Sequence, residues 1–252
     1  MAATLEHECF PQPENPKIRV WRYMDFTKFV SFIFSQQLHF SRLDLLGDNW
    51  EGAVTKATLE LEKSIFDTID IPEEEKKASA SQYVETMKRT RLNARLCQYA
   101  NCWHMNNHES AAMWKLYSSS NESIAIQSTF EKLSECLPSK AYLGTVTYVD
   151  YTSDAIPNGN LFYYSMYKRA SFSHECEARA IIIDTEEALK AHDNQETALA
   201  LKVPMNANTL IETVHVSPKS MPWFHDVVRE VIKRSNFKFP VLRSNLLDDP
   251  VF

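Results

Sequence analysis

Glycine is scarce in this chain: only four of its 252 residues are glycines, at positions 47, 52, 144 and 159. Loops that hold a phosphate through backbone N–H groups need closely spaced glycines, because side chains would block the approach of the phosphate. Neither GxGxxG nor GxxxxGK[ST] occurs in the sequence. The chain therefore does not have the phosphate loop of a P-loop nucleoside triphosphatase or of an ordinary Rossmann dehydrogenase.

Charge and cysteine content point to a cytoplasmic protein that does not bind polyanions in general. The net charge is −6 and the pI is near 5.8, whereas nucleic-acid and anionic-membrane binding need a cationic surface. The five cysteines are odd in number and show no CxxC spacing, which favours free thiols. No apolar run is long enough to span a bilayer. Residues 1–17 carry three acids and three prolines, so they do not read as a signal peptide.

Strand and helix patterns mix without a βαβα repeat, which favours an α+β fold built on a single mixed or antiparallel sheet. Strands are expected near 18–23, 38–41, 98–104, 124–127, 142–150, 175–183, 199–203 and 210–216. Helices are expected near 25–34, 53–68, 73–97, 109–117, 129–137, 161–168 and 222–234. We expect an irregular arm (1–17), one α+β domain (18–245) with an external helical insert (53–97), and a tail (246–252).

Residues 101–117 combine a thiol, two histidines and several aromatic rings. Trp114 and Tyr117 share a helical face, which favours core packing but also allows an aromatic wall against a flat ligand. The two histidines, at positions 104 and 108, resemble a zinc motif together with Cys102. A turn is expected at 106–107, so these side chains would not share a helix face. We therefore predict no metal site here.

Two carboxylates and a guanidinium follow one another at positions 175, 177 and 179. In a strand, Glu175, Glu177 and Arg179 would point to the same face. One interpretation is a solvated edge with a Glu177–Arg179 ion pair. The other is a functional site, in which Lys168 supplies a further cation and the neighbouring carboxylates raise the pKa of one of them. We hypothesise that Glu177 is the functional carboxylate and that its pKa is raised.

The loop at 44–52 carries Asp44, Asp48 and Glu51. It is either a capped turn or part of a metal-dependent nuclease site that combines Asp48 and Glu51 with Glu175 and Glu177.

Four motifs in order resemble a bacterial family named domain of unknown function 2971. They are Trp21-Arg22-Tyr23, the loop 47–52, Met113-Trp114-Lys115-Leu116-Tyr117, and Lys168 followed by Glu175-x-Glu177-x-Arg179. The resemblance covers about residues 18–245. The chain departs from the family pattern at Trp21, where the family has Tyr, and at Asn49, where it has Pro. The family name implies no activity.

A second resemblance, to the ADP-ribosyltransferases, rests on Arg22, Tyr117 and the pair Glu175-x-Glu177 in that order. It implies that Arg22 holds the phosphates of NAD and that Glu177 stabilises an oxocarbenium-like transition state. NAD would then be the substrate, and Tyr23, Trp114, Tyr117, Lys168 and Arg179 would help to bind it. The Ser-Thr-Ser motif of that superfamily is absent.

Three functions remain open at this point, and any protein partner is unknown. The first is NAD-dependent ADP-ribosyl transfer or NAD hydrolysis. The second is metal-dependent nucleic-acid cleavage. The third is non-catalytic binding of a small ligand or a partner. Convergence of Arg22, Tyr117 and Glu177 on one cleft would favour the first.

Overall fold

A mixed sheet forms the centre of the fold in the computed structural model, which describes residues 2–248 and residue 250. The strands are β1 (Arg19–Asp25), β2 (Gln37–Arg42), β3 (Gln98–Met105), β4 (Ser123–Thr129), β5 (Tyr142–Thr145), β6 (Thr147–Val149), β7 (Tyr167–Arg169), β8 (Glu177–Ile183), β9 (Ala200–Pro204), β10 (Thr213–Val216) and β11 (Val241–Arg243). The main sheet runs β11-β10-β4-β1-β3-β2-β9, with β8 pairing to β3 and β5 pairing to β8. Strands β6 and β7 form a separate parallel pair.

The helices are α1 (Phe26–Ser35), α2 (Lys56–Ser64), α3 (Glu73–Cys97), α4 (Ala111–Tyr117), α5 (Phe130–Cys136), α6 (Phe162–Met166), α7 (Thr185–His192), α8 (Ala207–Leu210) and α9 (Pro222–Arg234). Helix and strand content confirms the predicted α+β class. None of the helices in the described residues is long and apolar enough to cross a membrane.

Strand β3 is central because two strands share one of its edges. β1 pairs with it only at Val20–Met105 and Trp21–His104, and β2 pairs with it only at Ser41–Ala100 and Arg42–Tyr99. Between these two short pairings, β1 and β2 separate and leave the backbone at 101–103 without a strand partner on that edge. We call this gap the notch. On its opposite edge, β3 pairs with β8 over seven residue pairs.

The main core lies where α1, α5 and α9 pack against the sheet. Phe29, Phe130 and Phe224 are each at most 1% exposed and belong to one apolar cluster with Val20, Ile126 and other sheet residues. Burial of such side chains stabilises the fold by roughly 1.5–3 kcal/mol each. The amphipathic pattern of α9 predicted its boundaries correctly, since Pro222 fixes the first turn.

Four predicted elements differ from the structure. The strand expected at 142–150 is interrupted at Val146, so β5 joins the main sheet and β6 joins β7. The helix expected at 161–168 ends at Met166, which places Lys168 in β7. Leu210, at the start of the strand expected at 210–216, is instead the last residue of α8. The strand expected from position 175 begins at Glu177, and Glu175 ends a 3-10 turn, Ala170–Glu175.

The N-terminal residues 2–17 form no regular helix or strand, yet they pack tightly against β5. Phe10 is 1% exposed and stacks on Tyr142 at 5.3 Å between ring centroids. A Cβ atom added at Gly144 would lie 2.7 Å from the Phe10 backbone. Glycine at this position therefore allows the arm to approach the strand.

We expect Gly144→Ala to lower the free energy of unfolding by about 1–3 kcal/mol, because the added methyl group overpacks the contact with Phe10. Gly47→Ala is the control, since its Cβ would meet nothing within 4 Å. Urea denaturation of the two variants measures the difference. Equal stability of the two variants would show that the arm does not pack on β5 as described.

Candidate functional site

The notch opens into a cleft of about 750 Å³. Strands β1, β2 and β3 contribute to its walls, together with α1, α4, the loop at 46–51, and residues 168–179. Arg22, Tyr23, Tyr117, Lys168, Glu175, Glu177 and Arg179, all predicted as site residues, line it. Asp48 and Glu51 of the acidic loop also line it. The volume is in the range of cofactor and small-molecule sites.

Arg179 is the centre of the acidic end of the cleft. Its side chain is 0% exposed. Its two terminal nitrogens donate to the two carboxylate oxygens of Glu51 at 2.8 and 3.0 Å. Nε and Nη2 donate to Oε2 of Glu177 at 3.0 and 2.8 Å, and Nη1 also donates to the Ser165 carbonyl at 2.6 Å. The planar guanidinium thus holds two carboxylates from distant parts of the chain in one plane.

Lys168 joins the same carboxylates from the other side. Its Nζ lies 2.6 Å from Oε1 of Glu177 and 3.2 Å from Oε1 of Glu51, and it also donates to Glu175. Three carboxylates against two cations leave one net negative charge here when all groups are ionised. Beside this cluster, the carboxylate of Asp48 in the acidic loop accepts two hydrogen bonds from the guanidinium of Arg169.

Backbone geometry at Cys176 brings Glu175 into the cluster, although Glu175 is not in the strand. Cys176 has a left-handed conformation (φ 40°), which ends the 3-10 turn before β8 begins. Nδ1 of His104 lies 2.7 Å from the Glu175 carbonyl, and the Tyr148 hydroxyl accepts a hydrogen bond from the Glu177 amide at 2.9 Å. The prediction that strand alternation aligns Glu175 with Glu177 was wrong. The turn provides the alignment instead.

The two glutamates have opposite pKa shifts. Burial opposes ionisation of Glu177, but Arg179 and Lys168 outweigh burial and hold its pKa below the ordinary range. Burial and the neighbouring Glu177 raise the pKa of Glu175 to about 7, although Lys168 acts in the opposite direction. The raised pKa that we expected for Glu177 therefore belongs to Glu175, because Arg179 contacts only Glu177 of the two.

Arg22 lies in the notch, on the side of β3 opposite to Arg179. It is half-buried, and it donates to the Cys102 carbonyl at 3.1 Å. Its guanidinium lies 5.8 Å from the centre of the Trp103 ring. Burial lowers its pKa, but an arginine stays protonated at neutral pH. No acidic side chain in the described part of the chain forms an ion pair with it, so its charge is available to an anionic ligand.

Helix α4 places Tyr117 and Trp114 in different surroundings, contrary to the expectation that they share one helical face. The Tyr117 hydroxyl donates to Oε1 of Glu175 at 3.3 Å, yet the side chain is 49% exposed. Trp114 is 5% exposed and is absent from the described lining of the cleft. It packs edge-on against Tyr23 at 5.0 Å and supports that ring from behind. The ring of Tyr117 therefore faces the cleft, and the ring of Trp114 lies in the core.

Sequence patterns gave only weak signals for the other lining residues. Leu38 and Phe40 of β2 point to the core, so Gln37, His39 and Ser41 face the cleft on the opposite side. That alternation was visible in the sequence, whereas Lys28 of α1 and Lys202 of β9 gave no signal. Burial raises the pKa of the Cys102 thiol to about 12, so this cleft cysteine is no thiolate at neutral pH.

The acidic side chains of the proposed nuclease site lie close together, but each of them is already paired with a basic side chain. Asp48 is paired with Arg169, and Glu51 and Glu177 are paired with Arg179. Among the described residues, no group of three or more His, Cys, Asp or Glu side chains is arranged to hold a metal ion. The absence of bound zinc from the purified protein stays a prediction.

We expect Glu51→Gln to lower the free energy of unfolding by about 3–5 kcal/mol, because it breaks the two hydrogen bonds that buried Arg179 donates to the Glu51 carboxylate and the ion pair of Glu51 with Lys168. For a chain of this size, the melting temperature should fall by roughly 10 °C. The control is Glu212→Gln, which breaks a partly exposed pair with Lys132 and should change stability by at most about 1 kcal/mol. Thermal denaturation of both variants measures the difference. A similar small effect for both would show that the Arg179 network contributes little.

The raised pKa of Glu175 predicts a pH dependence. Folded Glu175 keeps its proton up to about pH 7, whereas an unfolded glutamate releases it near about 4.3. The folded state binds more protons between these values, so the contribution of Glu175 to stability falls as pH rises through this window. Glu177 has the opposite sign, since its lowered pKa stabilises the fold at neutral pH and this is lost in acid.

Glu175→Gln removes only the first of these two effects. The unfolding free energy of the variant minus that of the parent should therefore rise from about pH 4.3 to about pH 7. Denaturation at a series of pH values tests this. A difference that does not vary with pH would show that the pKa of Glu175 is not raised.

Comparison with known proteins gives a distant structural likeness. No protein family matches the chain by sequence, and no curated protein matches it. Among solved structures, the chain is similar to DarT of Thermus sp. 2.9, which was solved in complex with NAD+. The alignment covers 92% of this chain and 97% of that one, with 8% sequence identity and a TM-score of 0.41. At this level, the likeness does not decide activity, and membership of the family of unknown function stays a prediction.

Proposed function

We propose that the protein is an enzyme that cleaves NAD, either to transfer ADP-ribose to an acceptor or to hydrolyse the dinucleotide. One observation carries the proposal. Arg22, a cation with no acidic partner among the described residues, lies on one side of β3, and the cluster of buried carboxylates lies on the other. Both line a single cleft, and the cluster carries one excess negative charge when all its groups are ionised. NAD has a complementary polarity, since its pyrophosphate is anionic and its nicotinamide ribose becomes cationic when the glycosidic bond breaks.

Arg22 is the group proposed to bind the pyrophosphate. Its backbone contact to Cys102 and the Trp103 ring fix the guanidinium in the notch, so little conformational freedom remains to be lost on binding. Tyr117 lies between Arg22 and the carboxylate cluster. Its hydroxyl contacts Glu175, and its ring is exposed to the cleft. An exposed aromatic face can stack on a nicotinamide or adenine ring.

The carboxylate cluster is proposed to stabilise the transition state. The bond between C1′ of the ribose and the nicotinamide nitrogen breaks, and its electron pair leaves with nicotinamide. Positive charge develops on the ribose, and the carboxylate cluster, which carries one excess negative charge when Glu175 is ionised, stabilises it. The acceptor hydroxyl or water then bonds to C1′ and releases a proton. Glu175 suits the role of general base because its pKa is near 7.

Contacts of Glu177 change how its role must be tested. Because Glu177 pairs with Arg179 and Lys168 in the interior, Glu177→Gln should destabilise the protein as well as inactivate it. The change is therefore not equivalent to a surface substitution. Glu175→Gln is the better variant, since Glu175 lies at the cleft and does not contact Arg179.

We expect Glu175→Gln to lower kcat for nicotinamide release from NAD by about 10²–10⁴-fold, the range for loss of a general base. Arg22→Gln should instead raise KM for NAD about tenfold or more, because it removes a charge-assisted contact to phosphate. Nicotinamide release is measured by chromatography, with melting temperatures recorded for every variant. Glu212→Gln is the control and should retain parental activity.

Two results would contradict the proposal. The first is a parent protein that binds NAD but releases no nicotinamide, with or without added acceptors. The second is magnesium-dependent cleavage of DNA or RNA that disappears in Glu175→Gln, which would support the nuclease alternative.

A further inference from the structure

One wall of the cleft carries a row of polar groups that the proposed chemistry does not use. Gln37, His39 and Ser41 of β2 alternate with the buried Leu38 and Phe40, so all three face the cleft. The row is at the side of the notch opposite β1. An amide, an imidazole and a hydroxyl can all donate hydrogen bonds.

Two lysines complete this wall. Lys202 of β9 lies directly across from His39 in the antiparallel pairing of β2 and β9. Lys28 comes from α1 and also lines the cleft. Burial lowers the pKa of His39, and the positive charges of Arg22, Lys202 and Lys28 lower it further, so all three charges act on this imidazole.

Acidic partners are missing from this wall. Neither Lys28 nor Lys202 forms an ion pair with any residue that the structure describes, and both are exposed. Two hydrogen bonds from Ser119 lower the pKa of Asp25, the last residue of β1, and the charge of Lys28 lowers it further, but Asp25 and Lys28 form no ion pair. Like charges placed close together destabilise a fold. The positive charge of this wall contrasts with the chain as a whole, which has an excess of acids and a net charge of −6. A bound anion would remove the repulsion.

We propose that this wall, made of Gln37, His39, Ser41, Lys28 and Lys202, is a second phosphate subsite that takes a phosphomonoester dianion. Arg22 is a separate position, because it comes from β1 and donates to the Cys102 carbonyl, whereas the wall groups come from β2, β9 and α1. The inference rests on the proposed function in assigning Arg22 to the pyrophosphate of NAD. The dianion is either the additional phosphate of a phosphorylated dinucleotide or a phosphate on the acceptor.

Calorimetry with NAD+ and NADP+ on the full chain tests the first source. NADP+ carries one more phosphomonoester and should bind the parent about tenfold more tightly than NAD+, a typical gain for a charge-assisted contact. In the double variant Lys28→Gln/Lys202→Gln, the two dinucleotides should bind equally, with NAD+ affinity within about twofold of the parent. Lys140→Gln removes an exposed lysine outside the cleft and should keep the full preference.

Thermal denaturation with inorganic phosphate tests the second source. If the dinucleotides bind equally but phosphate raises the melting temperature of the parent and not of the double variant, the dianion belongs to the acceptor. If NADP+ has no advantage and phosphate affects both proteins alike, the subsite proposal is wrong. Nicotinamide release is scored separately: a binding preference without turnover would refute the proposed reaction and leave the subsite standing.

Discussion

The hydrogen bonds of one buried guanidinium organise this protein. Arg179 has no exposed surface, and it holds Glu51 and Glu177 together although they are far apart in sequence. A charge in this position is tolerated only when it is paired and its donors are satisfied. Lys168 binds the same carboxylates, so the acidic loop, β7 and β8 must come together for any of these charges to be buried. The contacts that form the candidate site are therefore also contacts that the fold needs for its stability.

A gap in the sheet creates the space in which this charge arrangement can act. β1 and β2 share an edge of β3 but each pairs with it over only two residues, so the strands diverge and the cleft forms between them. The divergence leaves Arg22 on one side of β3 and the Glu175–Glu177 pair on the other, and both line the cleft. Electrostatic interactions of buried groups are stronger than those in bulk solvent. This separation of charge, more than any single residue, supports the proposal of a dinucleotide as the ligand.

Sequence patterns predicted elements well where one local signal was sufficient. The boundaries of α9 followed from a proline and apolar spacing, and α3 followed from Pro72 and three acids in its first turn. Sequence patterns gave wrong predictions where pairing with a distant segment determines the secondary structure. The segment 142–150 has continuous strand character, yet it splits at Val146, because β5 pairs with β8 while β6 pairs with β7. The left-handed turn at Cys176 gave no signal, since neither glycine nor asparagine marks it.

The sequence by itself determined the α+β class, the lack of a glycine-rich phosphate loop and the set of chemical groups available to a site. Only the tertiary structure decided which carboxylate has a raised pKa and which has a lowered one. Glu175 and Glu177 are the same residue type two positions apart, so no local pattern distinguishes them. Their pKa values diverge because Arg179 contacts one of them and not the other. That difference depends on distances of a few ångströms between distant segments, which composition and periodicity do not specify.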